Sequence, residues 1–390
     1  MDFISFSLNY WDDLWQSRHQ ITSLLAKEHK VLFVTPPFSR AQVFGPERAE
    51  LPASGVVHRT DNLYTVVFPK WMFEIYRYPR LGKLFRHLRQ RHVARIMKKM
   101  GFRDTVLLIW HPRFVDLIGG FHESVTCYYA DDEFSSFAGL SDRDRNQILE
   151  QEDDLLRKVD LVFVSGPALM DKKNRYGNAI NVPMGADFNL FSRSRAPETV
   201  VPPDMEAVPH PRIGHIGVLN DKIDFRLVYE MSVARPNWSF PMVGPLNVRS
   251  EAFRADLELL RGRPNVYFLG GKMREMLPNY IKGLDVCMLG YRTDGWAKYI
   301  YPLKLHEYLA SGKPVVGPPL MSLRDFTDVV RIGDTPEKWV ENVEAALADK
   351  DEALAKRRIQ IAYENRLEQR VETIVQALER KLKEKKGGEG

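Results

Sequence analysis

Lys304 and Glu307 stand three residues apart in the run PLKLHEYLASGKPVV, a spacing that sets an ammonium and a carboxylate on one face of a helix. Pro302 suits a first helical turn, where its missing N–H has no intrahelical partner, and Gly312 suits the left-handed turn that ends one. The pattern predicts a helix over about 302–311 and then a short buried strand at Lys313-Pro314-Val315-Val316. The ammonium lies near the positive end of the helix dipole and can reach a phosphate oxygen. A carboxylate one turn further in can accept two hydrogen bonds from a diol such as a ribose. Together they describe a site for a nucleoside diphosphate carrying a sugar, although an ordinary surface ion pair would use the same two residues. A second group of interest is Asp131-Asp132-Glu133, at the end of a strand-like run over 124–129. Open α/β sheets present ligands beyond the carboxyl ends of their strands. A positioned carboxylate there can take the proton of an attacking hydroxyl, and it can equally cap the next element.

The elements around these residues alternate. Residues 3–8 and 30–35 read as strands flanking a helix over 12–28, a β-α-β opening that predicts a parallel sheet. That first turn lacks G-x-G-x-x-G and instead holds Trp11, Arg18 and His19, a polar and aromatic mixture able to meet an acceptor or simply to pack and cap. Residues 36–62, rich in Pro, Gly and charge, read as a long loop. Strands follow over 105–110, 124–129, 159–165 and 180–183, then a proline-rich linker over 192–211. A second set runs over 213–218, 239–244, 266–269 and 285–289. Gly217 at a strand end lets the backbone approach a bound group, and Lys222 could add a second cation or stay solvated.

At 390 residues, 44% hydrophobic and 27% charged, the chain is globular and long enough for two cores. Cys127 and Cys287, far apart in apolar runs, read as buried small hydrophobes. No apolar run reaches the roughly 18 residues needed to cross a bilayer, and the N-terminus lacks the order of a secretory signal. The formal charge of +5 is concentrated: between Lys70 and Lys99 ten basic residues face the single acid Glu74, a net of +9, leaving the remainder near −4. Trp71, Arg77, Arg80, Lys83 and Arg86 belong to this block, where apolar residues repeat at helical spacing. Such a mixture suits a peripheral anchor on an anionic membrane, or a domain helix with a basic solvated face. No nucleic-acid motif accompanies it.

The run PLKLHEYLASGKPVV resembles the nucleotide-binding segment of GT-B glycosyltransferases, particularly the family 4-like enzymes of bacterial surface-polysaccharide assembly. VTCYYADDEF resembles the base-bearing strand end of related enzymes, the xanthan glucuronosyltransferase group, and Met184-Gly185-Ala186-Asp187 a segment that closes their N-terminal domain. The resemblance implies a fold of two Rossmann-like, doubly wound parallel-sheet domains facing a cleft. It divides the chain into residues 1–195 for the acceptor, a linker over 196–211, 212–350 for the donor nucleotide, and helices over 351–385 that cross back. It also implies that Lys304 contacts the diphosphate, Glu307 the ribose and Asp132 the acceptor hydroxyl, with Asp131 the alternative base; Gly217, Lys222, Gly244 and Tyr301 would complete the donor site. Tyr299 stands where many family 4 enzymes have a second Glu, which leaves the stereochemical outcome open.

The implied reaction transfers a sugar from a nucleoside-diphosphate donor, UDP-linked by expectation, to a hydroxyl of a lipid-linked or growing polysaccharide. No cofactor or metal is expected beyond the donor, because fixed cations can stabilise the leaving diphosphate. The expected location is cytoplasmic, on the inner face of the membrane. A nucleotide-sugar epimerase of the same fold, or a non-catalytic basic adaptor, are the competing readings.

Overall fold

The computed structural model describes residues 1–13, 15–75, 79–137 and 139–387. Its first lobe is built on strands β1 (Asp2–Phe6), β2 (Val31–Val34), β3 (Gly55–Thr60), β4 (Leu63–Val67), β5 (Thr105–Ile109), β6 (Val125–Ala130), β7 (Leu161–Val164) and β8 (Ala179–Asn181). These form one sheet in the order β3-β4-β2-β1-β5-β6-β7-β8, parallel except for the β3/β4 hairpin. β2, β5 and β6 are buried at every position, the continuous apolar pattern of strands covered on both faces. Helices Pro79–Lys99 and Asp142–Lys158 cover one face; Ser17–Leu25 and the last helix, Leu367–Gly387, cover the other.

The second lobe has β9 (Ile213–Ile216), β10 (Leu219–Asn220), β11 (Phe240–Val243), β12 (Leu246–Asn247), β13 (Val266–Gly270), β14 (Val286–Met288), β15 (Val315–Gly317) and β16 (Val330–Ile332). The main sheet is parallel, in the order β13-β11-β9-β14-β15-β16, with β10 and β12 paired apart from it. In each lobe the order reverses beside the first strand, β1 or β9. Loops leaving the carboxyl ends there diverge and open a crevice.

One expectation changes. Residues 36–62 are not one loop: they hold a helix at Arg40–Phe44 and the edge strand β3, joined to β4 by the short Asp61-Asn62 turn. β-branched residues on both sides of that turn were the hairpin signal. The linker packs onto the second lobe. Met205 and Val208 are buried in the second-lobe core, and the guanidinium of Arg212 donates to the carbonyls of Glu206, Val208 and Gly283.

The chain crosses between lobes twice at one place. Leu367 N–H donates to Ala186 O at 2.9 Å as the final helix returns to the first-lobe core. A Cβ on Gly185 would lie 2.8 Å from Asn365 O and from Leu367 Cα, so only glycine lets the two strands of chain pass.

Candidate active site

The lobes face each other with the carboxyl ends of their sheets, enclosing about 700 Å³. On the first-lobe side, the first turn of helix Ser17–Leu25 supplies Ser17 and Arg18, and the end of β6 supplies Asp131 and Asp132. On the other side, Gly217 follows β9, Gly244 follows β11, Tyr291 follows β14, and Pro302, Lys304 and Glu307 come from helix Leu303–Leu309. That helix is shorter at both ends than the spacing predicts. Pro302 stands just outside it as the N-cap residue, and Gly312 takes the expected left-handed conformation, φ +74°.

Lys304 Nζ donates to Glu307 Oε2 at 2.6 Å. The pair is not on an outer surface: the side chains are 16% and 4% exposed, and both line the cleft. Gly217 makes room for the lysine, since a Cβ there would sit 3.2 Å from Lys304 Cε. Gly244 has a stricter reason. Its φ is +154° and an added Cβ would lie 1.7 Å from Gly217 O, so β9 and β11 can end side by side only with glycine at 244. Gly244→Ala is expected to destabilise the protein by about 3 kcal/mol, seen as a lowered thermal midpoint.

The two neighbouring acids have different surroundings. Ser17 Oγ donates to Asp131 Oδ2 at 3.1 Å, and Arg18 Nη2 pairs with the same oxygen at 3.4 Å. Asp132 turns toward the opposite lobe, where Lys222 Nζ lies 3.6 Å from its Oδ2. Burial raises the affinity of Asp132 for a proton above the ordinary carboxylate value, and Lys222 only partly opposes this. Asp132 Oδ1 is buried without a hydrogen-bond partner. Behind these acids Glu133 is held by Lys172 at 3.1 Å and Lys173 at 3.0 Å, and the two lysines with Ser135 help bring its carboxyl down to about 2 although burial opposes them.

Of the three expected acceptor contacts, Arg18 lines the cleft and the other two do not. His19 is fully buried: Gln16 N–H donates to its Nδ1 at 3.1 Å, so Nε2 carries the proton that goes to Tyr10 O. Trp11 packs edge-on against Trp15, His19 and Phe33. Both side chains hold the loop that leads into Ser17 and Arg18, through a four-ring cluster of Trp11, Trp15, His19 and Phe33. Tyr301 borders the cleft floor, but its hydroxyl shares a 2.8 Å hydrogen bond with His306 and its ring joins the first-lobe core.

Sequence reasoning passed over several lining residues, among them Ser17, Lys272 and Arg274. Arg274 follows the Leu269-Gly270-Gly271 turn, so a cation after a strand-end glycine pair was the available signal. Counting Arg18, Lys222, Lys272, Arg274 and Lys304 against Asp131, Asp132 and Glu307, the described lining carries five cations and three carboxylates.

In the basic block, Trp71, Arg80 and Lys83 are exposed, Arg86 is drawn to Asp116 at 3.2 Å, and Arg77 lies outside the described residues.

Comparison with known proteins agrees with this architecture. Residues 210–356 match the family described as glycosyl transferases group 1. A curated protein of Bacillus subtilis (strain 168), named "Putative teichuronic acid biosynthesis glycosyltransferase TuaH", is 32% identical over 192 residues; the match covers 47% of this chain and 46% of that protein, less than half its length. Among solved structures, the sucrose-phosphate synthase of Thermosynechococcus elongatus superposes with a TM-score of 0.68 at 16% identity, covering 97% of this chain and 99% of that one. An E. coli structure described as trehalose-6-phosphate bound with UDP-2-fluoro glucose gives 0.66 at 12% identity, again over 97% and 99%. Residues 210–356 are thus a glycosyl transferases group 1 domain, within a chain whose two lobes make the GT-B fold.

Proposed function

We propose that the protein transfers a sugar from a nucleoside-diphosphate donor to a hydroxyl of a saccharide acceptor. The observation that carries this reading is the juxtaposition, across one cleft, of the Lys304–Glu307 pair with the strand-end carboxylates Asp131 and Asp132. Lys304 would bind the diphosphate and offset charge growing on it as the glycosidic bond breaks; Glu307 would accept from the ribose hydroxyls; Gly217 and Gly244 would let the backbone meet the nucleotide. Asp132 would take the acceptor's proton, since its raised proton affinity makes it a stronger base than a solvated carboxylate. Ser17 and Arg18 occupy Asp131, which suits it to positioning. Five cations face the cleft, each paired with a nearby acid, and an entering diphosphate would compete with those acids for Lys222 and Lys304.

A panel of nucleotide sugars tested by calorimetry, then by transfer to saccharide acceptors, tests the reading. The E. coli neighbour is described as bound with a UDP-sugar analogue, UDP-2-fluoro glucose, so UDP-sugars come first. Failure of every nucleotide sugar to bind would remove the proposal, and isomerisation of the donor incubated alone would point instead to an epimerase.

We further propose that the acceptor is lipid-linked and that helix Pro79–Lys99 meets an anionic membrane surface. Trp71 is 56% exposed, Leu81 46% and Leu84 52%, and Arg80 and Lys83 are exposed beside them. Phe44, 66% exposed, continues this face through Phe73 and Phe85, whose rings touch in sequence. Apolar side chains ringed by cations suit an interface. No described helix is long and apolar enough to cross a bilayer. Leu81→Ser with Leu84→Ser is expected to weaken binding to anionic vesicles by at least tenfold, as each buried leucine is worth about 1.5–3 kcal/mol. Unchanged sedimentation with such vesicles would count against the surface.

A further inference from the structure

Lys222 reaches across the cleft from a fixed base. Its N–H donates to Asn220 Oδ1 at 3.1 Å, its carbonyl accepts from Arg292 N–H at 2.8 Å, and Ile223 bridges to Tyr291. The backbone is therefore pinned, and freedom is left to the four-carbon stem. The ammonium stands 3.6 Å from Asp132 Oδ2 and 4.2 Å from the centre of the Trp296 ring. Trp296 in turn rests on Phe137 of the first lobe, ring centres 4.8 Å apart. Among the described residues Lys222 is the sole ion-pair partner of Asp132, and both line the cleft that also contains Lys304. One cation thus neutralises the candidate base while standing in the space proposed for a diphosphate.

We propose that Lys222 is shared between Asp132 and the donor: it pairs with Asp132 until a nucleoside diphosphate enters, then moves to a diphosphate oxygen and leaves the carboxylate free to receive the acceptor's proton. This rests on the glycosyl-transfer reading of the cleft. The exchange moves no proton, since the ammonium keeps all three and trades one anionic partner for a more highly charged one. The Trp296 face stabilises the cation between the two partners, which keeps the movement short. The charged groups bearing on Asp132 are Lys222, Asp131 and Arg18; once Lys222 leaves, burial and Asp131 dominate and the carboxylate binds a proton more readily. Acceptor deprotonation is thereby coupled to donor binding.

A double-mutant cycle tests this by calorimetry with UDP, GDP and ADP on the full chain, using Asp132→Asn, Lys222→Met and the double variant, with thermal melts to check folding and Lys222→Gln as a second choice if the methionine variant melts early. Asp132→Asn is expected to tighten binding of the preferred nucleotide about tenfold by releasing Lys222. The same change in the Lys222→Met background is expected to alter affinity less than twofold. Equal tightening in both backgrounds would mean simple charge repulsion by Asp132 and would overturn the exchange, as would no tightening in either. If the wild-type protein binds none of the three nucleotides, the reading of the cleft itself fails, and the exchange with it.

Discussion

Lys304→Ala is expected to lower sugar transfer by about 10²–10³-fold and to weaken nucleotide binding in parallel. Removing one preorganised donor to a developing anion typically costs that much. The structure adds a second consequence that spacing alone does not contain. Glu307 is almost buried, and among the described residues Lys304 is its sole ion-pair partner, so the single substitution leaves a nearly enclosed carboxylate unpaired. A loss of about 1–3 kcal/mol in stability should accompany the loss of activity. Adding Glu307→Gln to Lys304→Ala separates the two effects, because it should restore the thermal midpoint without restoring transfer. Full activity in a folded Lys304→Ala protein would remove the lysine from the donor site.

Asp132→Asn is expected to reduce turnover by about 10²–10⁴-fold, the usual contribution of a positioned general base. Its effect on stability should run the opposite way. The folded protein raises this carboxyl's pKa above its ordinary value, chiefly by burial, so ionising it opposes folding. A raised carboxylate favours the folded state fully below its unfolded pKa and progressively less as pH climbs through the folded value. At neutral pH the asparagine variant, which cannot ionise, should therefore melt higher than wild type. Near pH 3, where both carry a neutral side chain, the gain should vanish. Wild-type turnover should fall with decreasing pH along a single ionisation lying above the ordinary aspartate value. A variant that keeps its turnover, or melts lower at neutral pH, would exclude Asp132 as a buried base.

Much of the second lobe was legible along the chain because its signals are local. The proline and glycine around helix Leu303–Leu309 obey backbone sterics that act within one turn, and the Lys304–Glu307 pair follows from helical periodicity. The largely apolar runs behind β5 and β6 are as readable, since a strand buried on both faces must be mostly apolar. The β3/β4 hairpin was hidden by charge and glycine, as an edge strand with one solvated side carries a weaker pattern. Leu81 and Leu84 repeat at core spacing yet face solvent; periodicity identifies a helix face but not what lies against it.

By itself, then, the amino-acid order determined the alternating α/β architecture, the placement of Lys304 and Glu307 on one helix face, and the pair of acids at the end of β6. Only the tertiary structure decided that Asp132 meets Lys222 while Asp131 meets Ser17 and Arg18, that His19 and Trp11 turn inward, and that Arg274 joins the cleft. The physical reason is range. Sterics and periodicity act over a few neighbouring residues, whereas burial, ion pairing and proton affinity depend on which loops the two crossings of the chain bring face to face.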